Sequence, residues 1–171
     1  MKTIILEKLA RVIKNRKRLE KILNLKITNS GREVSIDGMP EEEYLGEKVM
    51  DALNFGFSFS VAISIKEENN LFEIINIKDY SQKKKLETVR GRIIGKGGKA
   101  LQTLSQLTKC YFELKENQVG IIGDSNHIES AVEGIIGIIR GAKHGNIYKG
   151  LEKNQPQPIH DLGLRKDDEK I

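Results

Sequence analysis

Residues 91–100 read GRIIGKGGKA, which packs four glycines, two lysines and an arginine into ten positions. Glycine at that density marks a backbone that must turn sharply or come close to something. The flanking periodicities set the frame. LFEIINI (71–77) alternates and is β-rich, which predicts a strand. KKKLETVRGRII (83–94) puts Leu86, Val89 and Ile93 on one helical face, and KALQTLSQL (99–107) repeats Leu101, Leu104 and Leu107 on another. CYFELK (110–115) and QVGIIG (118–123) read as strands joined by a tight turn at Glu116 and Asn117. A last helix is predicted from a cap at Asp124 or Ser125, carrying Ile128, Ala131, Val132, Ile135 and Ile139 and stopping at Gly141. The order is strand–helix–GKGG–helix–strand–strand–helix.

A glycine turn between two helices leaves the second helix with unpaired N–H groups and the positive end of its dipole. Without side chains in the way, a phosphodiester backbone can lie against those groups. Lys96 and Lys99 add charge at the same place. Two other phosphate motifs compete. GKGGKA also satisfies the dinucleotide fingerprint G-x-G-x-x-G/A, with Glu116 near the distance of a ribose-binding acid, but the segment before it is basic and helical rather than a buried strand. A P-loop requires Ser or Thr after the lysine, and none follows Lys96. A glycine turn with no ligand is the plain structural alternative.

The N-terminal half repeats the pattern. Val34, Ile36, Gly38 and Gly56 match Val119, Ile121, Gly123 and Gly141 at an offset of 85. The same offset pairs Leu19 with Leu104, Ile22 with Leu107, Leu25 with Cys110 and Ile27 with Phe112. Before the glycines the offset is 81, pairing Arg11-Val12-Ile13 with Arg92-Ile93-Ile94. The difference of four falls where GKGG stands, so the first copy reads as a duplicate that lacks the loop.

Composition bounds the rest. The chain has 171 residues, 38% hydrophobic and 5% aromatic, with one cysteine and a net charge of +5. No apolar run reaches the ~20 residues of a spanning helix, and MKTIILEKLARVIK turns charged too early for a signal peptide. A single cysteine rules out an internal disulfide framework and fits a reducing compartment, so a cytoplasmic protein is expected. Basic residues cluster: 8–21 hold seven Lys or Arg against one Glu, and 83–99 hold seven against one. Such clusters favour a polyanionic partner, although solvated helix faces also produce them. Sparse aromatics and no tryptophan argue against an RRM or OB stacking sheet.

The element order and the GxxG loop Gly95-Lys96-Gly97-Gly98, preceded by Arg92-Ile93-Ile94, resemble the eukaryotic-type KH RNA-binding module. INIKDY (75–80), VGIIG (119–123) and GAKHGNIYKGLE (141–152) further resemble archaeal relatives of the "partner of Nob" pre-ribosomal-RNA processing family. The resemblance covers nearly the whole chain. It implies an α+β fold of two tandem type I KH-like modules (β-α-α-β-β-α), the first degenerate and without a GxxG loop. The expected bounds are 1–68 for the first module with a linker helix, 69–151 for the competent module, and 152–171 for a flexible tail.

KH loops clamp about four nucleotides of a single strand. By that resemblance Gly95 to Gly98 touch phosphates, with Lys96 and Lys99 adding charge. Ile94, Arg92 and the exposed face of the Tyr111–Leu114 strand, Tyr111 and Glu113 included, line the base groove. Ile94 could equally be core, and Arg90 and Arg92 are placed beside the loop for phosphate contact. The implied function is a non-catalytic RNA-binding ribosome-assembly factor on small-subunit (pre-)rRNA near its 3′ end. The implied protein partners are the Nob endonuclease, the dimethyladenosine methyltransferase and the translation initiation factor two alpha subunit. The alternatives are a general single-stranded-RNA-binding KH protein of RNA turnover, such as an exosome subunit, and more remotely a dinucleotide-binding protein.

Other chemistry is not called for. His127, His144 and His160 have no ligand spacing with one another or with Cys110, so no metal or cofactor is expected. Cys110, aligned with Leu25, reads as core. FSFSVAIS (57–64) alternates like a strand, but the resemblance implies a short helix linking the modules. His144 reads as loop packing, and the tail EKNQPQPIHDLGLRKDDEKI is polar and proline-bearing.

Overall fold

The structure, a computed structural model, describes residues 1–67 and 70–155. The first module runs β1 (Lys2–Ile5), α1 (Leu9–Lys14), α2 (Arg16–Leu23), β2 (Lys26–Ser30), β3 (Glu33–Asp37), α3 (Pro40–Phe55) and α4 (Phe59–Glu67). The second runs β4 (Leu71–Asn76), α5 (Ile77–Tyr80), α6 (Leu86–Ile94), a 3-10 turn Lys96–Gly98, α7 (Lys99–Thr108), β5 (Tyr111–Lys115), β6 (Gln118–Gly123), α8 (Ile128–Ile139) and α9 (His144–Asn154). Each module has a three-stranded antiparallel sheet in the same order, β1-β3-β2 and β4-β6-β5.

The duplication read from sequence reappears in strand register. Ile27 pairs with Ile36 as Phe112 pairs with Ile121, and Asn29 pairs with Val34 as Leu114 pairs with Val119. All four residues of each comparison are 85 apart. Where the second module has its glycine loop, the first has Asn15 alone between α1 and α2. Its side chain donates to Arg11 O at 2.9 Å and its N–H to Val12 O at 3.1 Å. No backbone opening is left there for a ligand.

Period-two alternation along β6 serves two cores. Val119 and Ile121 face the helices α6–α8, while Ile122 belongs to the core of the first module. Gly120 makes the second contact possible, because a Cβ there would stand 2.7 Å from the Phe55 ring. Phe55, Phe57 and Phe72 close the seam as an aromatic trio, with centroids 5.7–6.0 Å apart. Burying the Phe55 and Phe57 rings contributes roughly 1.5–3 kcal/mol each. Lys115 also reaches Glu7 across the seam at 2.7 Å. The first module thus covers the Gly120–Ile122 part of the outer face of the second sheet, while Ile74 and Tyr111 on that face stay 48% and 44% exposed.

FSFSVAIS lies mostly in helix α4, as the resemblance implied despite its alternation. Two elements differ from the expectation. The helix expected at Asp124 begins at Ile128; Asp124 instead caps a turn, its carboxylate accepting the Asn126 N–H at 2.7 Å. That hydrogen bond, ahead of the His127 charge, holds the Asp124 pKa below the usual carboxylate range. GAKHGNIYKGLEKN, read as a turn running into a tail, contains α9, which packs Ile147, Tyr148 and Leu151 into the second core. The expected module boundary at 68/69 and the tail from 156 onward, His160 included, lie outside the described residues. Among the described residues no helix is long and apolar enough to cross a membrane.

Candidate nucleic-acid interface

The loop is built by glycine geometry. Gly95 ends α6 at φ 74° and ψ 173°, its N–H returning to Gly91 O at 2.8 Å. A Cβ on Gly95 would lie 2.5 Å from the Ala100 Cβ, so only glycine closes this turn. Gly97 and Gly98 also have positive φ (63° and 77°), but a Cβ on either would meet nothing within 4 Å. Their outer side is therefore open backbone. No side chain caps the N-terminus of α7. Lys96 and Lys99 stand exposed on either side, with no acidic partner within 4.0 Å among the described residues. Positive charge, open backbone and a helix dipole converge at one point, an arrangement suited to an anion.

The rest of the predicted site divides. Ile93 is fully buried, whereas Ile94 is half-buried and outside the core clusters. Glu87, Arg90, Gly91 and Ile94 share one face of α6 by helical spacing. Arg90 lines a hollow with Lys84, Lys85, Glu87 and Asn117, and its Nε is buried without a hydrogen-bond partner among the described residues. Arg92 points elsewhere. Its guanidinium donates to Ile138 O at 2.8 Å and Ala142 O at 2.6 Å, closing the C-terminal end of α8. Its own carbonyl accepts Nε2–H of His144 at 2.7 Å. Arg11, its counterpart in the first module, makes the same kind of contact, donating to Gly56 O at 2.8 Å and Phe57 O at 2.9 Å. Arg92 is thus engaged in fastening helices, and a phosphate contact is not the use the geometry makes of it.

Tyr111 and Glu113 lie on the β5 face that looks toward the first module. They line a cleft with Leu101 and Gln102 of α7 and with Ser58 and Val61. The contribution of the first module to this wall was not visible in the sequence, because 58 and 61 are some 50 residues from β5. On the other side of α7, Gly95, Lys96, Lys99, Thr103, His144 and Tyr148 line a second cleft. The sequence marks GAKHGNIYKGLE by resemblance and reads His144 as loop packing, without placing either beside the glycine loop. Cys110 is buried beneath β5, and desolvation pushes its thiol pKa up to about 11, which makes it a core residue rather than a nucleophile.

A family model described as the eukaryotic-type KH domain (KH-domain type I), of the second KH module of PNO1 proteins, matches residues 71–156. That span is half of the chain and includes the loop and groove residues above other than Ser58 and Val61. The chain belongs to this family, as a PNO1-like member. It is 28% identical over 147 residues to a KH domain-containing protein of Methanocaldococcus jannaschii, covering 82% of this chain and 65% of that one. It is 29% identical over 112 residues to the pre-rRNA-processing protein pno1 of Aspergillus oryzae, covering 63% of this chain and 43% of that one. The chain therefore spans less than two thirds of these relatives' length. Among solved structures it matches a chain of the a/eIF2alpha–aDim2p–rRNA complex from Pyrococcus horikoshii, with a TM-score of 0.80 and 30% identity, covering 89% of this chain and 92% of that one. The two-module architecture is thus shared across that chain.

Proposed function

We propose that this protein binds single-stranded RNA through Gly95–Gly98, Lys96 and Lys99, and that its target is small-subunit (pre-)rRNA near the 3′ end. It would act as an assembly factor, by binding rather than by catalysis. The observation that carries the reading is the open, positive-φ backbone of Gly97 and Gly98 at the uncapped start of α7, flanked by two lysines without acidic partners. The names of the relatives support the biological setting: pno1 is a pre-rRNA-processing protein, and the Pyrococcus horikoshii assembly holds a/eIF2alpha and rRNA together. An initiation factor two alpha subunit is accordingly the first protein partner to test, followed by the Nob endonuclease and the dimethyladenosine methyltransferase. Within the site, Arg90 and the Lys84-Lys85 pair contact the backbone, Ile94 packs against bases, and Tyr111 and Glu113 read them from the β5 side.

The test is fluorescence anisotropy with labelled single strands from the 3′ end of small-subunit rRNA, composition-matched scrambled strands, and duplexes. The native-sequence strand should bind at least ~10-fold tighter than the scrambled one, about 1.4 kcal/mol. Equal affinity for all three would leave only a general polyanion binder.

A further inference from the structure

The cleft between α7 and α9 opens onto the glycine loop and shares its cations. Gly95, Lys96 and Lys99 form one side; Thr103 continues it along α7; His144 and Tyr148 of α9 form the other. The space is about 310 Å³, at the small end of the range for ligand sites and of a size for one nucleoside rather than a larger group. Two ammonium groups line it and no carboxylate does.

The α9 wall is held in place rather than merely nearby. His144 is fixed by its Nε2–H on Arg92 O, one turn before the loop. Arg92 in turn holds Ile138 O and Ala142 O, the segment that leads into α9. The His144 and Tyr148 rings lie 6.1 Å apart at 54°, an aromatic wall whose position is locked to the end of α6. Close approach of α9 to α8 depends on Gly137, where a Cβ would stand 2.5 Å from Ile147 Cδ1. Aromatic faces accept any base by stacking, and a cationic rim keeps the backbone in place.

We propose that α9 extends the RNA track: the nucleotide adjoining the loop-bound stretch lies in this cleft, its phosphate near Lys96 and Lys99 and its base against Tyr148. This rests on the reading that the loop binds RNA. A strand clamped at Gly97–Gly98 can continue into the cleft without leaving positively charged surface, which favours RNA over a protein segment there. The wall is also sequence-tolerant, so it adds affinity and length preference rather than base choice.

The experiment uses the full chain with oligouridylates of four and eight nucleotides, the longer one carrying 5-iodouridine at each position in turn. In the wild type the eight-mer should bind about 10-fold tighter than the four-mer, and iodouridine outside the loop-bound stretch should photocrosslink to Tyr148. Tyr148→Ala should abolish the eight-mer advantage while leaving the four-mer within about twofold. Because Tyr148 also touches the core, Thr103→Trp provides a second variant; it fills the cleft from the partly exposed side of α7 and should have the same effect. Crosslinks absent from Tyr148, with the eight-mer advantage intact in both variants, would overturn the proposal and give the cleft to a protein partner. The double substitution Lys96→Asp, Gly97→Asp separates the two failures. If it abolishes binding of both strands while the cleft variants change nothing, the loop reading stands and the cleft proposal alone falls. If it changes neither strand, the loop reading fails.

Discussion

Replacing Lys96 and Gly97 together by Asp tests the loop most directly, and the structure sets what each change costs. Gly95 is untouched, which matters because it alone of the three loop glycines has no room for a Cβ. At Gly97 a Cβ meets nothing within 4 Å, but φ is 63°. An L-residue there loses ~1–2 kcal/mol, with Asp at the low end because its short side chain tolerates this region. For a chain of this size that is a fall in Tm of about 2–4 °C. Two carboxylates near the start of α7 return some of the loss through the helix dipole, ~0.3–1 kcal/mol each. RNA binding has no such compensation. One ammonium is lost and two anions stand where phosphates are expected, so affinity should fall at least ~10-fold, about 1.4 kcal/mol. Titrations by anisotropy from 50 to 300 mM salt should also show a log K against log salt slope shallower by ~0.7, the share of one phosphate on a single strand. A variant that melts within a few degrees of wild type, binds the same strand equally and keeps its salt slope would refute the phosphate-clamp reading.

The two arginines before the loop should separate cleanly. Arg92→Ala strips charged hydrogen bonds from Ile138 O and Ala142 O and should cost about 2–3 kcal/mol, seen as a Tm lowered by roughly 5–10 °C; Arg90→Ala should leave Tm nearly unchanged and weaken RNA binding instead, and the reverse pattern would exchange their roles. Gly120→Ala drives a methyl against Phe55 and Phe57, so calorimetry should show a loss of about 1–3 kcal/mol; an unchanged Tm would mean the modules do not hold together through this seam. Cys110 offers a pH signature. Burial raises its pKa in the fold to about 11, so the folded state holds the proton more tightly than the unfolded state. Stability attributable to this group is therefore full below the unfolded thiol value of ~8.5 and is lost as pH rises through 11, and Cys110→Ala should flatten urea-measured stability over that window. A thiol that reacts rapidly with a disulfide reagent at pH 8 under native conditions would contradict its burial.

What could be read in the sequence was what depends on near neighbours. The glycine loop, the strand pairs and the 85-residue repeat are patterns of spacing, and the repeat survives as identical strand register. The fastening role of Arg92 was not legible because its partners, Ile138 O and Ala142 O, are 46 and 50 residues away and are backbone atoms, which carry no residue-type signal. Helix α9 was hidden for another reason. HGNIYKGLEKN carries two glycines and little intrinsic helix propensity, and its three apolar residues form a helix because α7 and α8 give them a surface to bury against. The clue available was the spacing of Ile147, Tyr148 and Leu151, one helical face inside a segment that otherwise reads as a turn.

Degeneration of the first module acquires a physical logic from the parts it kept. Arg11 still fastens the end of α3 through Gly56 O and Phe57 O, as Arg92 fastens the end of α8, and the two sheets keep one topology. What was lost is the loop alone, replaced by Asn15. What was gained is the Phe55–Phe57 edge, which packs over Gly120 and Ile122 of the second sheet and places Ser58 and Val61 beside Tyr111 and Glu113. A lone KH-like sheet exposing Gly120 and Ile122 would present an apolar face to water; the first module buries that part of the face, although Ile74 and Tyr111 on it stay about half exposed. Its scaffold is therefore under constraint from packing even though its own loop is gone, and substitutions there should act on the second module through stability before they act on any ligand of the first.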